Sequence, residues 1–291
     1  MPEPANLIDR EIHPVRDRVL LGAVWAAAML VAGAFVWLLA DLLWHGAGRL
    51  DWSFLSTAPR NSGRAGGIWP IVVSTVLIVA VAIVVAAPLG LATAVLLSEF
   101  TRRGGTTERA IGLSLDVLAG VPSIVFGLFG NAFFSVWLGL GFSILSGGLT
   151  LACMVLPILI RTAETGLRMV PDDWRLGAAA LGLSRTTALH QILIPVATPV
   201  LLAGLMLGIG RAMAETAALV FTSGYVDRMP SSLFDSGRAI SVHIYDLTMN
   251  VAGGDRSAYA SALVLIALLV LVNGAAIWLS DRTLQRKIAT R

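Results

Sequence analysis

Apolar residues in this chain neither alternate nor keep to one helical stripe. They run in blocks of twenty or more, separated by short polar stretches. A helix rises 1.5 Å per residue, so about 20 apolar residues are needed to cross the hydrocarbon of a bilayer. Six blocks reach that length, at 19–43, 68–97, 110–138, 145–168, 195–222 and 258–280. Residues 110–160 are almost uninterrupted; the glycines of Leu138-Gly139-Leu140-Gly141 and Ser146-Gly147-Gly148 predict a short turn dividing them. The expected fold is an all-α integral membrane protein with six transmembrane helices, since a helix satisfies its own backbone polar groups in lipid.

The polar stretches divide the chain into a charged N-terminus (1–18), a first span (19–43), a loop (44–67), a core of five spans (68–280) with an insert at 171–194, and a tail (281–291). The block at 19–43 is too long for the apolar part of a signal peptide and reads as an uncleaved span. Thirteen of the 21 basic residues fall on one side of the spans, six fall on the other, and Arg161 and Arg211 lie within them. That bias places both termini and the insert in the cytoplasm. The outer segment 44–67 carries Trp44 and Trp52 and reads as an excursion along the membrane surface. Residues 223–257, with Phe234, Ile240, Val242, Ile244 and Tyr245, predict a short amphipathic element. Solvated loops and docking surfaces for an external partner are both open readings of these two segments.

Composition agrees with the blocks: 56% of residues are hydrophobic and 13% charged, with mean hydropathy +0.80. A net charge of +3 does not point to nucleic acid, because the basic residues sit at block ends rather than in one stripe. Cys153 stands alone, which excludes an intramolecular disulfide and a cysteine metal cluster. His13, His45, His190 and His243 lie in separate segments without metal-ligand spacing. A phosphate-cradling Walker loop needs lysine before serine or threonine; the one lysine, Lys287, precedes Ile288. No nucleophile elbow is present. The expectation is a non-enzymatic chain with no metal and no cofactor of its own, so any ATP-driven work falls to another polypeptide.

Charges inside the blocks are the candidate chemistry. Arg161 and Glu164 are three residues apart, and Arg211 and Glu215 four apart, so each pair shares a helix face. A lone guanidinium in hydrocarbon costs at least about 2.5 kcal/mol on insertion scales and needs a carboxylate or a wet cavity. Two readings stand: ion pairs that fix packing, or a path for an anion, whose oxygens match the planar guanidinium fork. Arg161 and Arg211 mark either one pocket or successive levels. Asp116 is a third candidate, near one end of its block. Pro122 removes a backbone hydrogen bond and can turn carbonyls and Ser123 toward a cavity, or simply kink the helix.

The insert begins Pro171-Asp172-Asp173-Trp174-Arg175, with proline and two acids at the helix N-terminus. Leu176, Ala179, Ala180 and Leu183 then fall on one face, and Gly182 with Ser184 predicts a sharp turn. Such a small-residue helix can seat in a groove on a partner, or lie on the bilayer. The candidate coupling residues are Asp172, Asp173, Leu176, Gly177, Ala178, Ala179 and Gly182.

Gly182, nine further residues, and Ile192-x-Ile194-Pro195 resemble the EAA motif of importer permeases of the ATP-binding-cassette superfamily, with Leu176-Gly177-Ala178 where Glu-Ala-Ala is usual. Gly66 to Pro70, Asp116 to Gly130, Leu156 to Thr162, Arg211 to Ala217 and Val242-His243-Ile244-Tyr245 are similar, in order, to phosphate-importer permeases of the PstA type. That resemblance implies a type I importer permease fold in a prokaryotic inner membrane. It also implies a sister permease, a dimer of ATP-binding subunits carrying ATP and Mg, and an extracytoplasmic phosphate-binding protein. By the same resemblance Arg161 and Arg211 serve anion passage; Glu164, Glu215 and Ser123 join them as path candidates on the reading of the residues given above. A permease for another oxyanion is the alternative. A self-contained secondary transporter predicts inverted repeats, and the sequence shows none.

Overall fold

The structure, a computed structural model, describes residues 14–102 and 104–289, with side chains from 18 to 278 other than residue 103. The basic residues expected at the cytoplasmic ends (Arg10, Arg16, Arg282, Arg286, Lys287 and Arg291) and Arg103 lie outside those side chains.

The chain opens with α1 (Pro14–Gly46), then a short α2 (Trp52–Ser56) and a minimal antiparallel hairpin of β1 (Pro59–Arg60) and β2 (Ala65–Gly66). Next come α3 (Trp69–Val95), α4 (Thr106–Gly120), α5 (Ser123–Gly130) and α6 (Ile144–Arg168). The insert forms α7 (Asp172–Ala180) and α8 (Arg185–Ala188), which runs into α9 (Ile194–Met213). α10 (Ala217–Val220), α11 (Ile240–Met249) and α12 (Asp255–Ala289) complete the order.

Five helical stretches among the described residues are long and apolar enough to span a bilayer: Arg18–Arg49, Trp69–Phe100, Ile144–Arg168, Arg185–Met213 and Asp255–Trp278. The block at 110–138, expected as one span with Pro122 able to kink it, forms two helices bent by 98°. Pro122 has no N–H to donate and biases the residue before it away from helix. Val121 and Pro122 accordingly take extended ψ values of 129° and 142°.

The other boundaries shift for equally local reasons. Ser146-Gly147-Gly148 is not part of a turn. Ser143 caps α6 by accepting from the Ser146 N–H at 3.1 Å, so the helix has already begun at Ile144. Only Leu138 to Ser143 form the turn, with Gly139 and Gly141 at positive φ. The block at 195–222 starts earlier, at Arg185, and stops at Met213. Its apolar tail becomes the separate helix α10, buried against α5. Pro195 is tolerated because a π turn, Leu189–Leu193, opens the backbone where the proline ring would meet the carbonyl four residues back.

α6 is the centre of the bundle, with α3 and α9 along its sides and α4, α5 and α10 also against it. In lipid, close backbone approach supplies the packing energy, and small residues permit it. A Cβ on Gly148 would lie 2.5 Å from Val81 Cγ1, and one on Gly204 would lie 2.7 Å from Thr162 Cβ. α1 lies at the opposite extreme: its apolar stretch is exposed throughout and it meets the rest of the bundle mainly through α12.

The segment 223–257 is built into the body rather than lying free on the surface. Its α11 buries Ile240, Val242, His243 and Leu247, and the Ile240 N–H donates to Thr75 Oγ1 on α3 at 2.9 Å. His243 is fully buried under the hairpin, with Arg238 Nη1 3.4 Å from its Nδ1 and no partner on Nε2. Burial, and then the Arg238 charge, push the imidazole down from 6.5 to about 4.

Two outcomes are expected. Gly148→Leu forces α3 and α6 apart, costs about 1–3 kcal/mol or more, and lowers the melting temperature of the detergent-solubilised protein. A wild-type melt would contradict this packing. For His243, the folded group stays neutral down to about pH 4 while the unfolded group protonates near 6.5. Its contribution to stability is therefore complete above pH 6.5 and is lost as pH falls toward 4, on the order of 3 kcal/mol. Melting curves from pH 7 to 4 check this: His243→Gln should flatten the decline, and parallel curves would count against it.

Candidate functional site

The charges of the core lie along α6. Arg161 donates from Nη2 to Asp116 Oδ1 at 2.7 Å and to the Gly112 carbonyl at 3.0 Å, both on α4. Its bond to Glu164 Oε2, the partner expected from sequence, is longer at 3.4 Å. Glu164 is held more closely by Arg168, at 2.8 Å, and Arg168 in turn donates to Glu108 at the start of α4. The expected Arg161–Glu164 pair is thus one link of a five-membered chain: Asp116, Arg161, Glu164, Arg168 and Glu108. Acids and bases alternate along it, so every guanidinium lies between two carboxylates and α4 is laced to α6.

Arg211 is held differently. Its Nη2 lies 3.5 Å from Glu215 Oε2 and 3.9 Å from the Met154 sulfur, and about half of its side chain is exposed. Glu215 is 4% exposed and already committed: its Oε1 accepts from the Ala218 N–H at 3.2 Å, capping α10. Ser241 Oγ fixes the break between α9 and α10 by donating to the Glu215 carbonyl at 2.6 Å. The pair at 211 and 215 therefore exists, but as a loose guanidinium beside a rigid carboxylate.

Met154 and Arg161 are seven residues apart on α6, two turns along one face, or about 10 Å. Arg211, reaching across from α9, therefore meets α6 about two turns from Arg161. Ser123 does not join them. It is half-buried in the first turn of α5, and the cavity beside the 98° bend, of about 650 Å³, is lined by apolar side chains such as Leu118, Val121, Phe129 and Leu156.

The insert is moored to the bundle by Arg175. This residue makes a two-pronged pair with Glu99 at the end of α3 (2.7 and 3.2 Å) and donates to the carbonyls of Val170 (2.7 Å) and Leu167 (2.9 Å). Its bond to Glu99 raises the guanidinium further above its ordinary range. Sequence reading passed over Arg175 and Glu99, which lie far apart in the chain. Asp172 touches Arg175 at 3.3 Å, whereas Asp173 points to solvent. Gly182, at φ +70°, ends α7, and Ser184 caps α8 by accepting from the Thr187 N–H at 3.2 Å. Trp174, Leu176, Gly177, Ala179, Ala180 and Leu181 face outward, while Ala178, another of the candidate coupling residues, is buried.

Among the described residues, no cluster of His, Cys, Asp and Glu side chains is arranged to hold a metal ion. What the site offers is paired guanidiniums inside an apolar bundle, and an exposed small-residue helix tied rigidly to the ends of α3 and α6.

Residues 86–286 match the profile described as the binding-protein-dependent transport system inner membrane component. The probable ABC transporter permease protein YqgI of Bacillus subtilis (strain 168) is 30% identical over 281 residues, 91% of this chain and 95% of that protein. The phosphate transport system permease protein PstA of Mycobacterium leprae (strain TN) is 34% identical over 262 residues, 87% and 81% respectively. The inward-facing MetNI methionine ABC transporter, in its CY5 native crystal form, superposes with a TM-score of 0.57 at 14% identity, over 74% of this chain and 94% of its own. The fold is that of a type I ABC importer permease, and the protein crosses the membrane several times. By the span and strength of these matches, the chain belongs to the binding-protein-dependent transport system inner membrane components.

Proposed function

We propose that this chain lines the path of inorganic phosphate through a prokaryotic inner membrane, as one permease subunit of an ATP-driven importer. The observation that carries the reading is the state of Arg211: a half-exposed guanidinium on α9, loosely held, that reaches Met154 on the α6 face carrying Arg161. The likeness to the phosphate transport permeases of Mycobacterium supports phosphate as the solute. Another tetrahedral oxyanion would meet the same guanidinium fork, so discrimination falls largely to an external phosphate-binding protein.

The rest of the machine consists of a similar sister permease, a dimer of ATP-binding subunits carrying ATP and Mg, and that external protein. This chain itself is non-catalytic. Both termini and α7 face the cytoplasm, and α7 seats in the ATP-binding subunit through Leu176, Gly177 and Ala179. Closure of those subunits pushes α7, and the Arg175–Glu99 pair transmits the motion to α3 and α6. In the resting arrangement Asp116 occupies Arg161. Asp116 is largely exposed, whereas Glu164 and Glu215 are buried, so Asp116 is the carboxylate that an incoming anion displaces. Separation of α4 from α6 frees Arg161 and passes the anion from one level to the next.

Arg161→Gln and Arg211→Gln should each abolish phosphate uptake in vesicles containing the assembled importer, whereas Asp116→Asn should retain uptake. Loss in Asp116→Asn equal to the arginine variants, or wild-type rates in Arg211→Gln, would overturn the path. Ala179→Asp should leave assembly intact and separate ATP hydrolysis from uptake by about tenfold or more, since an unpaired charge would be desolvated at the interface. Unchanged coupling would remove α7 from the transmission.

A further inference from the structure

The arginines inside the bundle each face a carboxylate; three at its far end do not. Arg49, Arg64 and Arg256 line one cavity of about 560 Å³ on the side opposite the insert, together with Trp44, His45 and Ser257. No acid lines it, and among the described residues none of the three arginines has an ion-pair partner. Asp41, one turn before the cavity, lies 3.1 Å from His45 Nδ1. Three guanidiniums around one hollow repel each other unless an anion joins them.

The hollow is built rather than incidental. Arg49 donates to the carbonyls of Arg64 (3.1 Å) and Gly66 (3.5 Å), and its guanidinium carbon lies 5.9 Å from the centre of the Phe54 ring. Ser257 donates to the same Arg64 carbonyl at 3.4 Å, so the hairpin is tied both to the end of α1 and to α12. The floor is the crossing of α1 and α12, where His45 stacks on Tyr259 at 5.0 Å and a Cβ on Gly46 would lie 2.9 Å from the Tyr259 carbonyl.

Position selects the ligand. The cavity opens where the apolar run of α1 ends, with Trp44 86% exposed beside it as an interfacial anchor. We propose that it binds the phosphate headgroup of an anionic phospholipid, whose acyl chains lie along the exposed face of α1. Free inorganic phosphate shares the charged group, but it would not explain a site on the lipid-facing rim, two helices removed from α6. The bound lipid bridges α1, the hairpin and α12, and so secures a helix that otherwise joins the bundle mainly through α12.

Native mass spectrometry of the detergent-purified full chain tests this with dioleoylphosphatidylglycerol and dioleoylphosphatidylcholine at equal concentration. Phosphatidylglycerol should be retained in preference to phosphatidylcholine, and millimolar inorganic phosphate should not displace it. Retention should fall about tenfold or more in R64Q/R256Q and remain near wild type in R64K/R256K. If the double variant does not fold, Arg256→Gln alone, an exposed side chain, provides the same comparison. Equal retention of the two lipids, unchanged retention in the neutral variants, or displacement by inorganic phosphate would overturn the proposal.

Discussion

A guanidinium in hydrocarbon must have a counter-charge, and this constraint organises the core of the molecule. Arg161, Arg168 and Arg211 lie on or against α6, the most enclosed of the spans, and each has recruited a carboxylate. The recruitment is unequal. Around Arg161 and Arg168 the acids come from two helices, so satisfying the charge also fixes how α4 sits on α6. Around Arg211 a single carboxylate is held back by its own role in capping α10. The same need for neutralisation thus ties α4 to α6 at Arg161 and Arg168 and leaves Arg211 loosely paired.

Mobility and rigidity are distributed accordingly. α3, α6 and α9 meet through glycines, with separations that admit no side chain. α4 and α5 meet at the 98° bend, beside an apolar cavity, and α4 is joined to α6 largely by charge. Arg175 joins α7 to the ends of two spans, because its donors engage Glu99 just past α3, the Leu167 carbonyl of α6 and the Val170 carbonyl at once.

Much of this was legible in the residues. Apolar block length gives the spans, since hydrocarbon thickness sets how many residues each requires. The insert announces itself by its proline, acids and turn glycine, which act within a few residues and need no tertiary context. The intramembrane charges stand out because burying them is costly. The bend at Pro122 also follows from local chemistry, although its angle does not.

Tertiary structure decided what depends on residues distant in the chain. Which acid holds Arg161 was settled by α4 lying beside α6, forty-five residues away in sequence, and helical periodicity reports only neighbours three or four positions along. Glu99 and Arg175 carry no signal in the chain because their pairing exists only once α3 and α6 end at the same level. Ser146-Gly147-Gly148 shows the same limit: its glycines suit a turn as well as a close crossing, and only the position of Val81 on α3 makes them the latter. Sequence alone determined that charge would be buried and roughly which blocks are long enough to cross a membrane; packing determined which charges meet, because counter-charges are chosen by proximity in space.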